Sequence, residues 1–247
     1  MSADALPAHD VALVRAGNPG PLTLTGTNTW IVGRDPAWVI DPGPGLAEHR
    51  AAVLAAVAAH GGAGGLALTH DHADHAEGAA ALRAALGGVP LAAARGPVDA
   101  VLGDGDAFGP LTTLALPGHA PDHLVFLAGR VAFTGDAVLG EGSVFVAPGP
   151  GSLAGYLAGL ARLRAFAPVL LCPGHGPVVT EPAARLDELV AHREERERRL
   201  LAALAAGART EEELLDHAWS EVPPELRGAA ALTLRAHMGK LQEEGRA

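Results

Sequence analysis

Four residues that can bind a metal ion fall within six consecutive positions of the sequence. The segment at 69–78 reads THDHADHAEG and contains His70, His72, Asp74 and His75. It follows an apolar segment at 65–69 that predicts a β-strand, and layered α/β proteins present functional side chains beyond the carboxyl ends of strands. Imidazole and carboxylate groups suit zinc, and they also bind iron or manganese. The segment therefore predicts a metal site rather than a polar loop.

The spacing within this segment allows more than one ion. His70 and His72 are two positions apart, so their side chains can point to the same side of an extended loop, and Asp74 and His75 can then serve a second ion. Three further candidates each follow an apolar run and stand beside glycine: His119 in LALPGHAPDH, Asp136 in VAFTGDAVLG and His175 in VLLCPGHGP. One such residue is more often part of a loop, but its recurrence after three strands favours a shared centre.

The elements that must position these residues alternate along the first 180 residues. Short apolar runs bounded by Gly and Pro predict strands at 11–17, 28–33, 37–41, 65–69, 111–116, 123–128, 130–134, 143–146 and 168–172. Longer Ala- and Leu-rich runs predict helices at 46–60, 76–86 and 152–165. We therefore expect an α/β protein in which helices cover β-sheets.

The pattern changes after Thr180, where no further strand is predicted. A long helix at 182–206 ends at Gly207, and Thr210 with Glu213 forms a capping box that opens a second helix. A third helix follows Pro223 and leaves no room for a wing hairpin before the last residue. We therefore divide the chain into a catalytic domain at 1–180 and a small, all-α, winged-helix-like domain at 181–247.

The composition excludes several classes of protein. One cysteine, Cys172, in 247 residues excludes a disulfide framework and an all-cysteine zinc site. The net charge of −10 argues against a surface that binds polyanions over a wide area. The first ten residues lack the features of a signal peptide, and no apolar run reaches the roughly 18 residues of a membrane span. We therefore expect a cytoplasmic protein without a membrane partner.

The motifs T-H-x-H-x-D-H-x-x-G, P-G-H, T-G-D and P-G-H-G, in this order and spacing, resemble the metallo-β-lactamase-like hydrolase superfamily over about residues 10–180. The resemblance implies an αββα sandwich with a binuclear zinc site, iron and manganese remaining possible metals. It assigns one ion to His70, His72 and His119, the other to Asp74, His75 and His175, and the bridging position to Asp136. It also implies that Asp41, in the V-I-D-P-G turn, orients a ligand from beneath the site.

The rest of the chain resembles one branch of that superfamily. The segment GDAVLGEGSVFVAPGPGSLAGYLAGLARL, the PGHGPV turn, the HREERERR helix and the HMGKLQEEGR end are similar to the endoribonuclease-like group called β-lactamase-like protein 2, which carries a winged-helix-like C-terminal domain. That group includes a nuclease for single-stranded RNA, and a related branch contains polyketide thioesterases. The resemblance leaves the substrate open.

The expected chemistry is hydrolysis by a hydroxide that bridges the two ions, with Asp74 orienting it and accepting its proton. Single-stranded RNA is the first substrate that the resemblance implies. Against it stand the few aromatic residues (five Phe, three Trp and one Tyr) and the HREERERR helix, whose Glu194–Arg198 and Glu195–Arg199 pairs predict a self-neutralised, solvated face. A small acyl ester, thioester or lactone is the alternative substrate, and a non-catalytic nucleic-acid-binding module is a third hypothesis.

The sequence allows two interpretations for each of three other residues. His123 either contacts the substrate or a ligand, or is an ordinary histidine at the start of a strand. Ser143 and Tyr156 either line the pocket or serve the loop and the helix core. The sequence also leaves open whether the chain forms a homo-oligomer and whether the C-terminal helices cap the pocket, dimerise or bind RNA.

Overall fold

Two β-sheets enclose the central core in the computed structural model, which describes residues 6–247. The first sheet has six strands in sequential order: β1 (Val11–Arg15), β2 (Asn28–Val32), β3 (Ala37–Ile40), β4 (Ala63–Ala67), β5 (Leu91–Ala93) and β6 (Ala100–Val101). Its first three strands are antiparallel, and β3 to β6 are parallel. All five residues of β2 are buried, as expected for a strand covered on both faces.

The second sheet has five strands in the order β11-β10-β9-β8-β7. They are β7 (Ala107–Phe108), β8 (Leu111–Ala115), β9 (Leu124–Ala128), β10 (Val131–Gly135) and β11 (Leu170–Pro173). Only the β10–β11 pair is parallel among the strands of this sheet that the structure describes. The two sheets bury Trp30 and Ile40 of the first sheet against Phe126, Phe133 and Cys172 of the second.

Helices cover the outer face of each sheet. On the first sheet, α1 (Ala47–Ala59) and α3 (Ala79–Ala85) bury Val53 and Leu82 against Val39 and Leu66, and the single turn α2 (Ala73–Ala76) precedes α3. On the second sheet, α4 (Ser152–Phe166) buries Leu160 and Leu163. The layers are therefore helix, sheet, sheet and helix, and the predicted αββα sandwich is confirmed.

Three helices follow the last strand: α5 (Pro182–Ala205), α6 (Glu211–Ala218) and α7 (Arg227–Glu243). Their own apolar core contains Leu200, Leu214, Trp219 and Leu234. The capping box of α6 is present, and the described part of the chain has no strand after β11. The first half of α5 instead packs on α4 through Leu186 and Leu189. This one helix thus contacts both parts of the molecule, and a domain boundary at residue 180 stays a prediction.

The structure corrects two details of the predicted elements. The predicted strand at 143–146 is wrong: this segment is a loop whose backbone is held by side chains, since the amide of Val146 donates to Thr233 and Val144 accepts from Arg193. The short strands β5, β6 and β7 were not predicted because they contain only two or three residues each. Among the described helices, none has both the length and the apolar character needed to cross a bilayer.

Candidate metal centre

All seven predicted ligands lie at one edge of the sandwich, beyond the carboxyl ends of strands. The cluster at 70–75 follows β4, Asp136 directly follows β10, and His175 lies two residues after β11. His119 lies in the loop between β8 and β9. The strand order of both sheets therefore brings four separate segments of the chain to the same place.

Three sets of ligand-type atoms lie close enough to hold an ion, with all atoms of a set within 4.8 Å of one another. These sets are His70, His72 and His119; Asp74, His75 and His175; and His70, His75 and Asp136. The first two sets are the two groups that the sequence analysis named, and the third joins them through Asp136. That these side chains bind metal stays a prediction.

Asp136 lies between the two groups. Its Oδ1 is 3.4 Å from Nε2 of His75, and its Oδ2 is 3.3 Å from Nε2 of His175 and 3.5 Å from Nε2 of His119. Burial alone would raise the pKa of this carboxyl, but the charge of His75 and the close contacts with His175 and His75 hold the pKa well below its usual range. An ionised carboxylate in this position suits the role of a bridge.

Asp41 lies beneath the centre and makes three hydrogen bonds of 2.8 Å. Its carboxylate accepts from the amide and the hydroxyl of Thr69 and from Nδ1 of His75. Burial alone would lower the pKa of His75, but Asp136 and Asp41 together raise the pKa well above the ordinary value. Asp41 belongs to none of the three ligand sets and orients His75 through its Nδ1 atom.

Gly174 allows the ligand loops to approach each other closely. A Cβ atom at this position would lie 2.4 Å from Oδ1 of Asp136 and 2.6 Å from the ring of His75. The neighbouring Pro173 carbonyl accepts hydrogen bonds from the side chains of Asn28 and Trp30 on β2. Strand β2 therefore fixes the loop that carries His175.

Three ring or carboxylate atoms of the predicted ligands are buried and have no hydrogen-bond partner within residues 6–247: Nε2 of His70, Nδ1 of His119 and Oδ1 of Asp136. On the other side of its ring, Nδ1 of His70 is 3.0 Å from the Thr69 hydroxyl. Nε2 of His75 lies 3.3 Å from Nε2 of His175. A buried imidazole nitrogen without a partner, beside further imidazoles and carboxylates, is an arrangement that suits a cation.

Asp74 is the more exposed of the two carboxylates among the predicted ligands. Solvent reaches 28% of its side-chain surface, against 9% for Asp136. Its Oδ2 accepts from the hydroxyl of Thr27 and lies 3.2 Å from Nε2 of His175. Burial would raise the pKa of Asp74, but the hydrogen bond from His175 and the charge of His75 lower the pKa. Asp74 also lines the cavity described below, so it faces both the ligands and the open space.

His123 is buried and takes no part in the three ligand sets. Its Nε2 accepts a hydrogen bond from the backbone amide of Asp136, and its ring stacks on that of His70 at 5.0 Å. It is not among the residues that line the cavity. Of the two interpretations that the sequence left open, the structure favours support of the ligands over contact with the substrate.

A cavity of about 540 Å³ opens beside the centre. One part of its wall comes from the ligand residues His72, Asp74, His119, Asp136 and His175. Loop residues form a second part: Leu22, Leu24, Leu139, Ser143 and Phe145. The C-terminal helices form the third part with His192, Arg193, Arg196, Trp219 and Thr233. The helical segment therefore caps the cavity.

The structure gives Ser143 and Tyr156 different surroundings. Ser143 lines the cavity, and its hydroxyl lies 3.3 Å from Nε2 of His192. Tyr156 is fully buried in the helix core and donates its hydroxyl to the carbonyl of Ala137. Phe145, which the sequence analysis missed, packs its ring 4.5 Å from that of His119 and borders the site.

The HREERERR helix is not a uniformly solvated face. Arg193 and Arg196 are buried and line the cavity. Glu195 accepts from both Arg198 and Arg199, and the predicted Glu194–Arg198 pair does not form. A signal was present in the sequence: Arg185, Leu189, Arg193, Arg196 and Leu200 follow the spacing of a helix face that packs inward.

Comparisons with known proteins agree with this fold. Residues 93–175 match the family described as the metallo-beta-lactamase superfamily, and residues 210–247 match the family described as the beta-lactamase associated winged helix domain. The lactamase-like protein adaB of Aspergillus niger is 31% identical over 269 residues, covering 95% of this chain and 80% of that protein.

Two further proteins are similar over most of their length. The atrochrysone carboxyl ACP thioesterase of Aspergillus fumigatus is 30% identical over 251 residues, covering 87% of this chain and 75% of that protein. The crystal structure of a metallo-beta-lactamase family protein from Thermus thermophilus superposes with a TM-score of 0.74 at 25% identity, covering 98% of this chain and 95% of that one. The chain therefore belongs to the metallo-beta-lactamase superfamily and is a metal-dependent hydrolase with a C-terminal winged-helix domain.

Proposed function

We propose that this enzyme hydrolyses a small acyl thioester or ester at a centre of two divalent metal ions. The observation that carries the proposal is the cavity of about 540 Å³ beside the ligand cluster, capped by the C-terminal helices and lined largely by apolar side chains. A space of this volume suits a small molecule. The similarity to a thioesterase from Aspergillus fumigatus supports the same class of substrate.

The residues of the centre fit two ions. His70, His72 and His119 would hold one ion, Asp74, His75 and His175 the other, and Asp136 would bridge them. The orphaned Nε2 of His70 and Oδ1 of Asp136 would gain the partner that they lack. The donor set of imidazole and carboxylate suits zinc and is also compatible with iron or manganese.

When bound, such ions supply Lewis acidity and make water a nucleophile near neutral pH. The chain's own residues then orient the reaction. Asp74 holds its Oδ2 against Thr27, which leaves Oδ1 to accept the proton of the attacking water. Asp41 keeps the proton of His75 on Nδ1, and His123 fixes the backbone of Asp136. Phe145 and the helical cap would surround the acyl group of a bound substrate.

Single-stranded RNA is the competing substrate, and the wall of the cavity argues against it. Sequence-tolerant RNA binding needs a basic groove with aromatic residues for stacking. The aromatic residues in the cavity wall are Phe145 and Trp219, and the guanidinium of Arg196 already covers the Trp219 ring at 5.2 Å. The protein's net charge of −10 also disfavours a long polyanion.

A panel of substrates tests the proposal with one preparation of zinc-loaded enzyme. An acyl thioester, a lactone, bis-p-nitrophenyl phosphate and a single-stranded RNA are compared for the wild type and for His72→Ala. We expect turnover of the thioester or the lactone, and loss of that turnover in His72→Ala. Cleavage of RNA or of the phosphodiester without acyl hydrolysis would assign the site to the competing substrate.

A further inference from the structure

We propose that Arg193 forms a subsite for one negatively charged group of the substrate, a carboxylate or a phosphate, in the helical wall of the catalytic cavity. That the substrate is a thioester or an ester rests on the proposed function. The charged group at Arg193 is a separate claim about binding, and it follows from how this arginine is placed.

Arg193 differs from the other buried arginines of α5 in lacking a carboxylate partner. Arg185 pairs with Glu188 at 2.8 Å, and Arg196 pairs with Glu221 at 2.5 Å. Arg193 is 2% exposed, donates Nη2 to the carbonyl of Val144, and has no ion pair with any residue in the range 6–247. Its Nε is buried without a partner, although its side chain borders the cavity.

The acidic residues nearest to Arg193 along the helix are already engaged or turned away. Glu197, one turn later, is held by Lys240 at 2.7 Å and by Arg246 at 2.5 Å. Glu194, the next residue, is exposed. The guanidinium of Arg193 instead lies over the ring of Tyr156 at 5.4 Å. Within residues 6–247, Arg193 therefore has no carboxylate partner, and Glu197 could pair with it only by leaving Lys240 and Arg246.

The helical part of the wall around Arg193 carries one excess positive charge. In that part, Arg193 and Arg196 contribute two positive charges and Glu221 returns one negative charge, while Glu141 carries a negative charge in the loop part of the wall. His192, which precedes Arg193 on the helix, adds none at neutral pH because burial and the charges of Arg193 and Arg196 lower its pKa to about 4. An unpaired buried cation is unfavourable, and a ligand anion that enters the cavity would compensate it.

Three thioesters of equal acyl length test the subsite. The first has a neutral acyl chain on a neutral thiol, pentanoyl-N-acetylcysteamine. The second carries a carboxylate at the far end of the acyl chain, glutaryl-N-acetylcysteamine, and the third carries a phosphate on the thiol side, pentanoyl phosphopantetheine. We expect one of the charged thioesters to have a KM about 10- to 100-fold below that of the neutral one, as for one charge-assisted hydrogen bond. Which of the two it is identifies the source of the charge.

Variants on the same helix isolate Arg193. In Arg193→Met the preference for the charged thioester should disappear, and in Arg193→Lys, which keeps the charge, it should largely remain. Arg198→Met removes an exposed arginine five residues away and should leave all three KM values unchanged. If Arg193→Met does not fold, the proposal is still tested by the wild type and Arg193→Lys. Equal KM values for the three thioesters in the wild type would overturn the proposal.

A binding measurement separates this subsite from the proposed reaction. Thermal unfolding of the wild type is followed with added glutarate and with added pentanoate, which differ by one carboxylate. We expect glutarate to raise the unfolding temperature more than pentanoate does, and this difference to be absent in Arg193→Met. An equal effect of the two acids refutes the subsite. If neither the three thioesters nor a lactone reacts while the glutarate effect is intact, the proposed function is refuted and the subsite is not.

Discussion

His75 donates a hydrogen bond of 2.8 Å from Nδ1 to Oδ2 of Asp41, and both side chains are buried. With the proton held on Nδ1, the Nε2 lone pair points into the centre, where it lies 3.3 Å from Nε2 of His175. The positive φ of 54° at Asp41 turns the chain sharply after β3 and places the carboxylate beneath the ligands. Asp41 thus sets the direction in which His75 can bind an ion.

Replacing Asp41 by asparagine should weaken metal binding while keeping the side chain's size. The amide is a poorer acceptor for the His75 proton, so we expect the Kd for zinc to rise about 10- to 100-fold. Competition with a chromophoric chelator measures that constant. Asp187→Asn, the same change at an exposed ion pair with Arg164, serves as the control. An unchanged Kd in Asp41→Asn would mean that Asp41 does not orient His75.

Arg95 connects the two loops that carry the first ligand group. Its guanidinium lies 2.9 Å from Asp71, between His70 and His72, and 2.8 Å from Asp122, beside His123. Because the bridge is exposed, Arg95→Met should raise the zinc Kd only up to about fivefold, and less at high salt. Arg162→Met, which removes a similar exposed pair with Asp104, is the control. Equal zinc Kd values for Arg95→Met and Arg162→Met at low salt would contradict this role of Arg95.

His237 should make the helical segment sensitive to acid. Both ring nitrogens are buried without partners in the described structure, and burial, aided by the charge of Arg193, lowers the pKa of His237 to about 3 from 6.5. Between these values the unfolded chain binds a proton that the folded chain does not. The free energy of unfolding should therefore fall with pH below 6.5, by up to about 1.4 kcal/mol per pH unit from this residue.

Urea unfolding from pH 7 to pH 4 measures this effect in a pair of variants. His237→Phe should flatten the pH dependence, because phenylalanine fills the site and cannot titrate. His217→Phe, at an exposed position of α6, should retain the slope of the wild type. A slope in His237→Phe equal to that of the wild type would contradict the assignment.

Removal of the ions should destabilise the protein. The centre gathers five histidines and two carboxylates around a small volume, and a ligand at 100 times its Kd stabilises the folded state by about 2.7 kcal/mol. For a chain of this size, we expect chelation to lower the Tm by about 5 to 10 °C and zinc to restore it. Calorimetry with a chelator that is then titrated with zinc makes the comparison, and an identical Tm in both states would count against the metal sites.

The sequence predicted the parts whose signal is local. The closely spaced ligand residues at 70–75, the capping box of Thr210 and the apolar run of β2 each depend on near neighbours in the chain. The prediction of a strand at 143–146 was wrong because the apolar residues of this segment resemble those of a strand. Its backbone groups are bound by Arg193 and Thr233, which lie about fifty and ninety positions away along the chain.

The cavity wall shows a second limit of sequence reasoning. The charged residues of α5 suggest a solvated surface, yet Arg193 and Arg196 lie on the same helix face as the buried Leu189 and Leu200. Charge type and burial conflict at such positions, and only tertiary packing decides between them. His123 shows the same limit, since its hydrogen bond from the amide of Asp136 depends on how β9 lies beside β10.

Metal content measured together with turnover tests the central claim most directly. Asp136 contacts histidines of both ligand groups, so Asp136→Ala should lose the paired binding of two ions. Elemental analysis of the zinc-loaded wild type should give two ions per chain, and the variant should give one or none and no thioester turnover. A variant that keeps two ions and the full turnover of the wild type would contradict the account.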